Sequence, residues 1–260
     1  MKILMCEPTH YDVAYEINPW MDVHNRPDKK KSLEQWTKLR NTYEELGVEV
    51  QLIAQESGLP DMMFTANGGT VRENIFVSGN YRYKERKGEE KYFQKWFVDH
   101  GYEVKTLSHF QGGEGDALFY RDTLYMGYGF RSETESHAEI AELLHVPTVS
   151  FQLIDPYFYD FDTAFCPIGD KAVLYYPLAF AEEDREQVAA IEGAIPMTKE
   201  QAEHFVGNSV HVNGKLLVSF LDEDLKEKLS SISIEPIQLD LSEFKKGGGG
   251  IKCLTLYLEK

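Results

Sequence analysis

Apolar residues recur along the chain with two periods, and the change from one to the other marks its elements. Leu33, Trp36, Leu39, Tyr43 and Leu46 fall three and four residues apart, which predicts a helix with Ser32 placed to cap its start and Gly47 to end it. The same spacing predicts helices over residues 90–99, with Tyr92, Phe93, Trp96 and Phe97 inward, and over 133–144, 182–191 and 222–229. Alternation predicts strands over 2–6 and 48–53 and four hairpins. These pair 63–71 with 74–78, 117–120 with 123–127 across Arg121-Asp122, 163–167 with 172–176 across Gly169-Asp170, and 209–212 with 216–220 across Asn213-Gly214. Between the first strand and the first helix, Glu16-Ile-Asn-Pro-Trp-Met21 reads as a loop, because its proline and asparagine disfavour regular structure.

The hairpins repeat. Their openings, near Asn67, Asp116, Asp162, Asn208 and Gly250, recur roughly every 45 residues, and each interval holds a helix and another strand. Five such ββαβ-like units suggest a closed ring of α/β class, spanning residues 1–260 as one domain. Each opening carries a small polar residue or glycine: Asn67-Gly-Gly69, Gly115-Asp116, Asp160-Phe-Asp162-Thr163, Gly207-Asn208, and Gly250 ahead of Cys253. A radial arrangement brings these positions to one central pocket, rich in carboxylates and amides and holding one thiol. Such a pocket suits a cation, and carboxylates at Asp116, Asp160 and Asp162 could grip a planar guanidinium through charge-assisted hydrogen bonds.

The last stretch, Lys246 to Leu258, joins four glycines to an alternating strand that carries Cys253. Glycine runs let backbone approach a ligand, which makes Cys253 a candidate nucleophile; the alternative is a small apolar side chain buried in a strand. Cys6, Cys166 and Cys253 are odd in number and far apart, which fits neither a disulfide framework nor a metal site and predicts free thiols. At 42% hydrophobic and 27% charged residues the composition is that of a globular protein with a real core. A formal charge of −16 opposes nucleic-acid binding, which depends on cations that neutralise phosphate. No apolar run reaches membrane-spanning length and no signal-peptide pattern opens the chain, so a cytoplasmic protein without a membrane partner is expected.

Several motifs in order carry a resemblance. Pro60-Asp-Met-Met-Phe-Thr-Ala-Asn67, Gly113-Glu-Gly-Asp116, Gly129-Phe-Arg131-Ser132, Tyr159-Asp-Phe-Asp-Thr163 and Gly248-Gly-Gly-Ile-Lys-Cys253 together resemble the guanidino-group modifying superfamily with the five-bladed α/β-propeller fold, the penteins. That superfamily includes arginine deiminase, dimethylarginine dimethylaminohydrolase and arginine:glycine amidinotransferase. The resemblance spans essentially the whole chain, from Asn18-Pro-Trp-Met21 to the terminal strand.

The resemblance implies covalent amidine chemistry, in which a thiolate attacks the guanidinium carbon, a histidine protonates the departing amine and activates water, and acids hold the substrate nitrogens. A guanidinium is a poor electrophile, so a sulfur nucleophile, close positioning and a proton donor are all needed. The bound cation itself would favour the thiolate. By position, Cys253 matches the nucleophile, Asp162 the second acid of the family's His-x-Asp pair, and Asp116 the aspartate of its acidic glycine motif. Asp61 matches a residue at the substrate's amino-acid end and Arg131 an arginine that binds its carboxylate. Asn67 stands where deiminases place an aspartate, and the Phe-Thr-Ala-Asn form resembles the bacterial arginine dihydrolases, which take arginine to ornithine.

Two positions depart from the pattern. The family histidine falls at Asp160, and the glutamate of the acidic motif is displaced to Glu114, with Gly113 in its place, so that Glu114 is the acid expected to bind substrate there. Asp160, crowded by Asp162 and Asp116, could supply the proton; His211 and His109 are the other candidates, each with an ordinary packed or surface role as its alternative. Three functions follow: hydrolysis of an arginine-like guanidino compound, amidino transfer to an amine, or binding without turnover. The mechanism requires no metal and no organic cofactor, its partner is a small guanidino substrate, and a homodimer is compatible with it.

Overall fold

A computed structural model describes residues 1–259. The first unit runs β1 (Lys2–Cys6), α1 (Lys29–Glu45) and β2 (Glu49–Ile53), with β1 and β2 parallel and Ile3 opposite Val50. Helix α1 buries Trp36, Leu39 and Tyr43 as the spacing predicts, each worth about 1.5–3 kcal/mol when fully removed from water. Its cap differs from expectation. Asp28, not Ser32, accepts from the Lys31 amide, and Ser32 lies one turn inside, its hydroxyl donating to the Asp28 carbonyl. An acid in extended backbone one residue ahead of Lys29 outcompetes a serine already in helical backbone. Leu33 is 43% exposed, whereas Gly47 ends the helix in the left-handed region that only glycine enters freely.

Three further units follow the pattern hairpin, helix, strand. They are β3 (Gly69–Arg72), β4 (Ile75–Ser78), α2 (Glu90–Asp99) and β5 (Glu103–Lys105); then β6 (Ala117–Tyr120), β7 (Thr123–Tyr128), α3 (Thr134–Leu144) and β8 (Thr148–Gln152); then β9 (Phe165–Ile168), β10 (Ala172–Tyr175), α4 (Glu182–Ala189) and β11 (Ala194–Pro196). A short linking helix α5 (Lys199–Glu203) carries a Thr198/Gln201 capping box that the spacing did not reveal. The fifth unit is β12 (Val210–Val212), β13 (Lys215–Val218), α6 (Glu223–Ser231) and β14 (Glu235–Gln238), followed by α7 (Ser242–Lys245) and β15 (Leu256–Glu259). Strand β15 pairs antiparallel with β1, so the ends of the described chain complete the first sheet. Each sheet therefore has three strands, an antiparallel pair plus one parallel strand brought back by a helix. Five such sheets are the five-unit α/β architecture expected.

Two sequence expectations are corrected. The first hairpin starts at Gly69 rather than at residue 63, because Thr65–Gly68 coils into a tight helical turn. Cys253 does not lie in a strand: residues 251–254 form a turn, and the strand begins only at Leu256. Back-bonding locks that turn. The Thr255 hydroxyl donates to the Ile251 carbonyl, and Lys252 Nζ donates to the Thr255 carbonyl. Among the described residues no helix is long and apolar enough to cross a membrane.

Candidate active site

A tight turn precedes each of the four hairpins and β15, namely Thr65–Gly68, Gly113–Gly115, Phe161–Thr163, Val206–Asn208 and residues 251–254, and hydrogen bonds join the five in a cycle. Asn67 Nδ2 donates to the Gly112 carbonyl, the Phe161 amide to Asp116, Asn208 Nδ2 to the Asp162 carbonyl, the Lys252 amide to the Asn208 carbonyl, and the Ala66 amide to the Cys253 carbonyl. The turns approach so closely that a Cβ on Gly207 would strike the Thr163 carbonyl and one on Gly113 the Ala66 carbonyl. The small residues at the openings are thus a packing requirement.

The cycle gathers the predicted groups. Cys253 Sγ lies 3.3 Å from Asp162 Oδ2 and receives a hydrogen bond from Asn208 Nδ2 at 3.1 Å, while Asn208 Oδ1 accepts from the Cys253 amide. The thiol is 2% exposed. Burial, then the charges of Asp162 and Asp160, raise its proton affinity well above that of a free cysteine. Burial and then Asp160 push Asp162 up to about 8, with Lys252 opposing. The fold thus favours the protonated form of the carboxyl beside the sulfur.

The other acids divide by whether their oxygens are occupied. Asp116 is fully engaged: Oδ1 accepts from the Phe161 amide and Oδ2 from Ser132 Oγ at 2.5 Å. Its proton affinity is raised, first by burial and then by Asp160. Glu114, expected beside the substrate, is turned into the frame, where Oε2 accepts from Lys252 Nζ at 2.8 Å and from the Tyr257 amide. By contrast, Asp160 Oδ2 accepts from Asn67 Nδ2 at 3.2 Å, but Oδ1 is buried without a hydrogen-bond partner and faces Arg131 Nε at 3.6 Å. Asp61 repeats the pattern: Oδ2 accepts from Tyr15 OH at 2.9 Å, and Oδ1 is unpaired. The Arg131 guanidinium carbon lies over the Tyr159 ring, 4.4 Å from its centroid.

Three residues have site roles that the sequence does not announce: Asn208, Arg86 and Glu89. Asn208 stands at a repeat opening equivalent to that of Asn67, and this equivalence is the signal that points to it. Arg86 and Glu89 form a buried bidentate pair at 2.7 and 2.8 Å, and Arg86 also donates to Asn67 Oδ1 at 2.7 Å. Nothing in their spacing separates them from surface charges. The histidines lie elsewhere. His109 Nδ1 pairs with Glu139 at the surface, and His211 on β12 borders a cavity of about 360 Å³ at the hairpin-turn end of the ring, beside Arg121, Asp170 and Asn213. Among the described residues no histidine hydrogen-bonds to Cys253, Asp160 or Asp162.

Comparisons with known proteins identify the family and agree with the fold. A sequence model of the family described as N,N dimethylarginine dimethylhydrolase, eukaryotic, matches residues 10–259. The bifunctional arginine dihydrolase/ornithine cyclodeaminase ArgZ of Synechocystis is 43% identical over 98% of this chain, which spans 37% of that protein's length. The N(G),N(G)-dimethylarginine dimethylaminohydrolase of Mycobacterium tuberculosis is 40% identical over 98% of this chain and 85% of its own. The crystal structure of the N-terminal domain of ArgZ covalently bound to a reaction intermediate superposes with a TM-score of 0.96 at 41% identity, covering 100% of this chain and 98% of that one. The chain belongs to the N,N-dimethylarginine dimethylhydrolase family of the pentein superfamily.

Proposed function

We propose that this chain hydrolyses the guanidino C–N bond of arginine or an arginine derivative through a covalent amidine thioether on Cys253, giving a citrulline- or ornithine-type product. The observation that carries this is the contact of Cys253 Sγ with Asp162 at 3.3 Å, together with two buried carboxylate oxygens, on Asp160 and Asp61, that have no hydrogen-bond partner. Relatives named arginine dihydrolase and dimethylarginine dimethylaminohydrolase support the substrate class.

Each charged group of the ligand is given a partner. The α-carboxylate goes to Arg131, the α-ammonium to Asp61 and the guanidinium to Asp160 and Asp162, while Asn67 fixes Asp160 and Asp116 closes the frame around it. A cation bound against the sulfur lowers the proton affinity of both Cys253 and Asp162. The sulfur then bonds to the guanidinium carbon as Asp162 protonates the departing nitrogen; the C–N bond breaks, and the ammonia or amine leaves as its ammonium with the thiol's proton, so Asp162 is left a carboxylate. Water next attacks the thiouronium carbon and gives a proton to that carboxylate. The C–S bond breaks, that proton returns to sulfur, and the ureido product gives its hydroxyl proton to Asp162. In this scheme Asp162 carries the proton that the family assigns to histidine, and Asp160 grips the substrate.

The test is mass spectrometry after acid quench of the protein incubated with arginine, methylarginines, agmatine and glycine. An amidine adduct on Cys253 with a ureido product or ornithine is the expected result. Transfer of the amidino group to glycine identifies a transferase instead. A second reading, a guanidino binder without turnover, is favoured by the histidine-free site; unchanged substrates with a ligand-dependent rise in melting temperature would replace hydrolysis with it.

A further inference from the structure

Asp160 and Arg131 face each other in an unfinished contact. Asn67 Nδ2 tethers one oxygen of Asp160, and Asn67 is itself fixed by Arg86 on Oδ1 and by the Gly112 carbonyl on Nδ2. The other oxygen, Oδ1, stands 3.6 Å from Arg131 Nε, beyond hydrogen-bond distance, and is buried with no partner. Arg131 is buried, and its guanidinium carbon lies over the rings of Tyr159 and Tyr83, 4.4 and 5.3 Å from their centroids. These cation–π contacts restrain the side chain but use none of its N–H groups. Each group thus keeps hydrogen-bonding capacity in reserve, while the charge of one holds the other.

We infer that Arg131 locks Asp160 until a carboxylate binds: the ligand's α-carboxylate takes over the Arg131 charge and frees Asp160 Oδ1 to receive the guanidinium. The inference rests on the proposed placement of the two substrate ends. Its physical basis is that one carboxylate oxygen cannot serve two guanidinium cations at close range without their mutual repulsion, which a carboxylate on Arg131 cancels. Guanidines that lack the carboxylate, such as agmatine, are therefore rejected twice, by the missing contact and by a lock that stays closed. A histidine in place of Asp160 would carry no negative charge for Arg131 to hold, so this coupling belongs to the aspartate.

The coupling is measured by calorimetric titration of agmatine into the Cys253→Ser full-length chain, with and without acetate, at constant ionic strength held by chloride. Acetate supplies the missing carboxylate and is expected to tighten agmatine binding by about fivefold or more. In Arg131→Gln the acetate effect disappears and agmatine binds at least as tightly as in the acetate-loaded parent. In Asp160→Asn, an isosteric change that keeps the Asn67 side occupied, the acetate effect also disappears. Agmatine affinity unaffected or weakened by acetate in the parent overturns the lock, as does an acetate effect that survives in Asp160→Asn. Because the readout is binding, acetate coupling without any turnover of arginine sinks only the hydrolase reading, and turnover without coupling sinks only this one.

Discussion

Asn67 stands between two buried ion pairs that are built to opposite standards. On its Oδ1 side Arg86 and Glu89 meet in a bidentate pair, backed by the Asp61 carbonyl and the Tyr81 ring, with every charge answered. On its Nδ2 side Asp160 and Arg131 stand 3.6 Å apart, with one carboxylate oxygen unanswered. Removing two charges from water is costly, and good geometry is what offsets the cost. The first pair recovers it within the protein, so it is architecture. The second leaves part of it unrecovered, and a ligand can complete it. The same residue types at similar burial thus separate into frame and function by hydrogen-bond completeness.

The largest expected effect lies on the functional side. Cys253→Ser should reduce turnover by about 10⁴-fold or more while leaving urea-unfolding stability within about 0.5 kcal/mol, since the hydroxyl keeps the Asn208 bond. Near-normal turnover by that variant would remove the nucleophile from the scheme.

The comparison itself is broken or sharpened next. Arg86→Met strands Glu89 in the interior and should cost about 3–5 kcal/mol, with much of that recovered in the Arg86→Met/Glu89→Met double variant. Arg131→Met should cost clearly less, because the contact it removes is incomplete. Equal losses in denaturant titrations would show that completeness does not distinguish the two pairs.

A pH-dependent effect follows from Asp162, whose carboxyl burial raises to about 8 in the fold against roughly 3.9 in an unfolded chain. The folded state then binds more protons than the unfolded one between those values, so stability falls as pH rises through that window. Asp162→Asn removes the penalty. It should match the parent near pH 4 and exceed it by about 5 kcal/mol at pH 9. A difference that stays constant with pH would mean that Asp162 is not the group holding the proton.

The smallest effect concerns the histidines. His211→Ala and His109→Ala should change kcat by less than about twofold, against the loss of about 10²- to 10⁴-fold expected of a proton-transfer residue. A larger fall in either would return that histidine to the mechanism and displace Asp162.

Much of this molecule is legible along the chain. The alternation of Ala117–Tyr120 and Thr123–Tyr128, the helix spacing of Glu90–Asp99 and the turn pairs Gly169-Asp170 and Asn213-Gly214 all report local preferences, and they appear in the fold where expected. The recurrence of the openings at Asn67, Asp116, Asp162 and Asn208 locates the central ring, because each blade repeats the same local solution. Where local signals compete, legibility ends. Ser32 and Asp28 are both capping residues, and backbone conformation chooses between them. Alternation around Cys253 looks like a strand, but side-chain bonds from Thr255 and Lys252 coil it into a turn.

Periodicity, turn chemistry and repetition are properties of neighbouring residues, so they were sufficient to specify the five units and the convergence of a thiol with several carboxylates. Which of those carboxylates is free to act depends on partners far away in the chain. Glu114 is claimed by Lys252, Asp116 by Phe161 and Ser132, and Asp160 is left half satisfied between Asn67 and Arg131. Burial and hydrogen-bond occupancy set the proton affinity and availability of a carboxyl, and both come into being only when the ring closes.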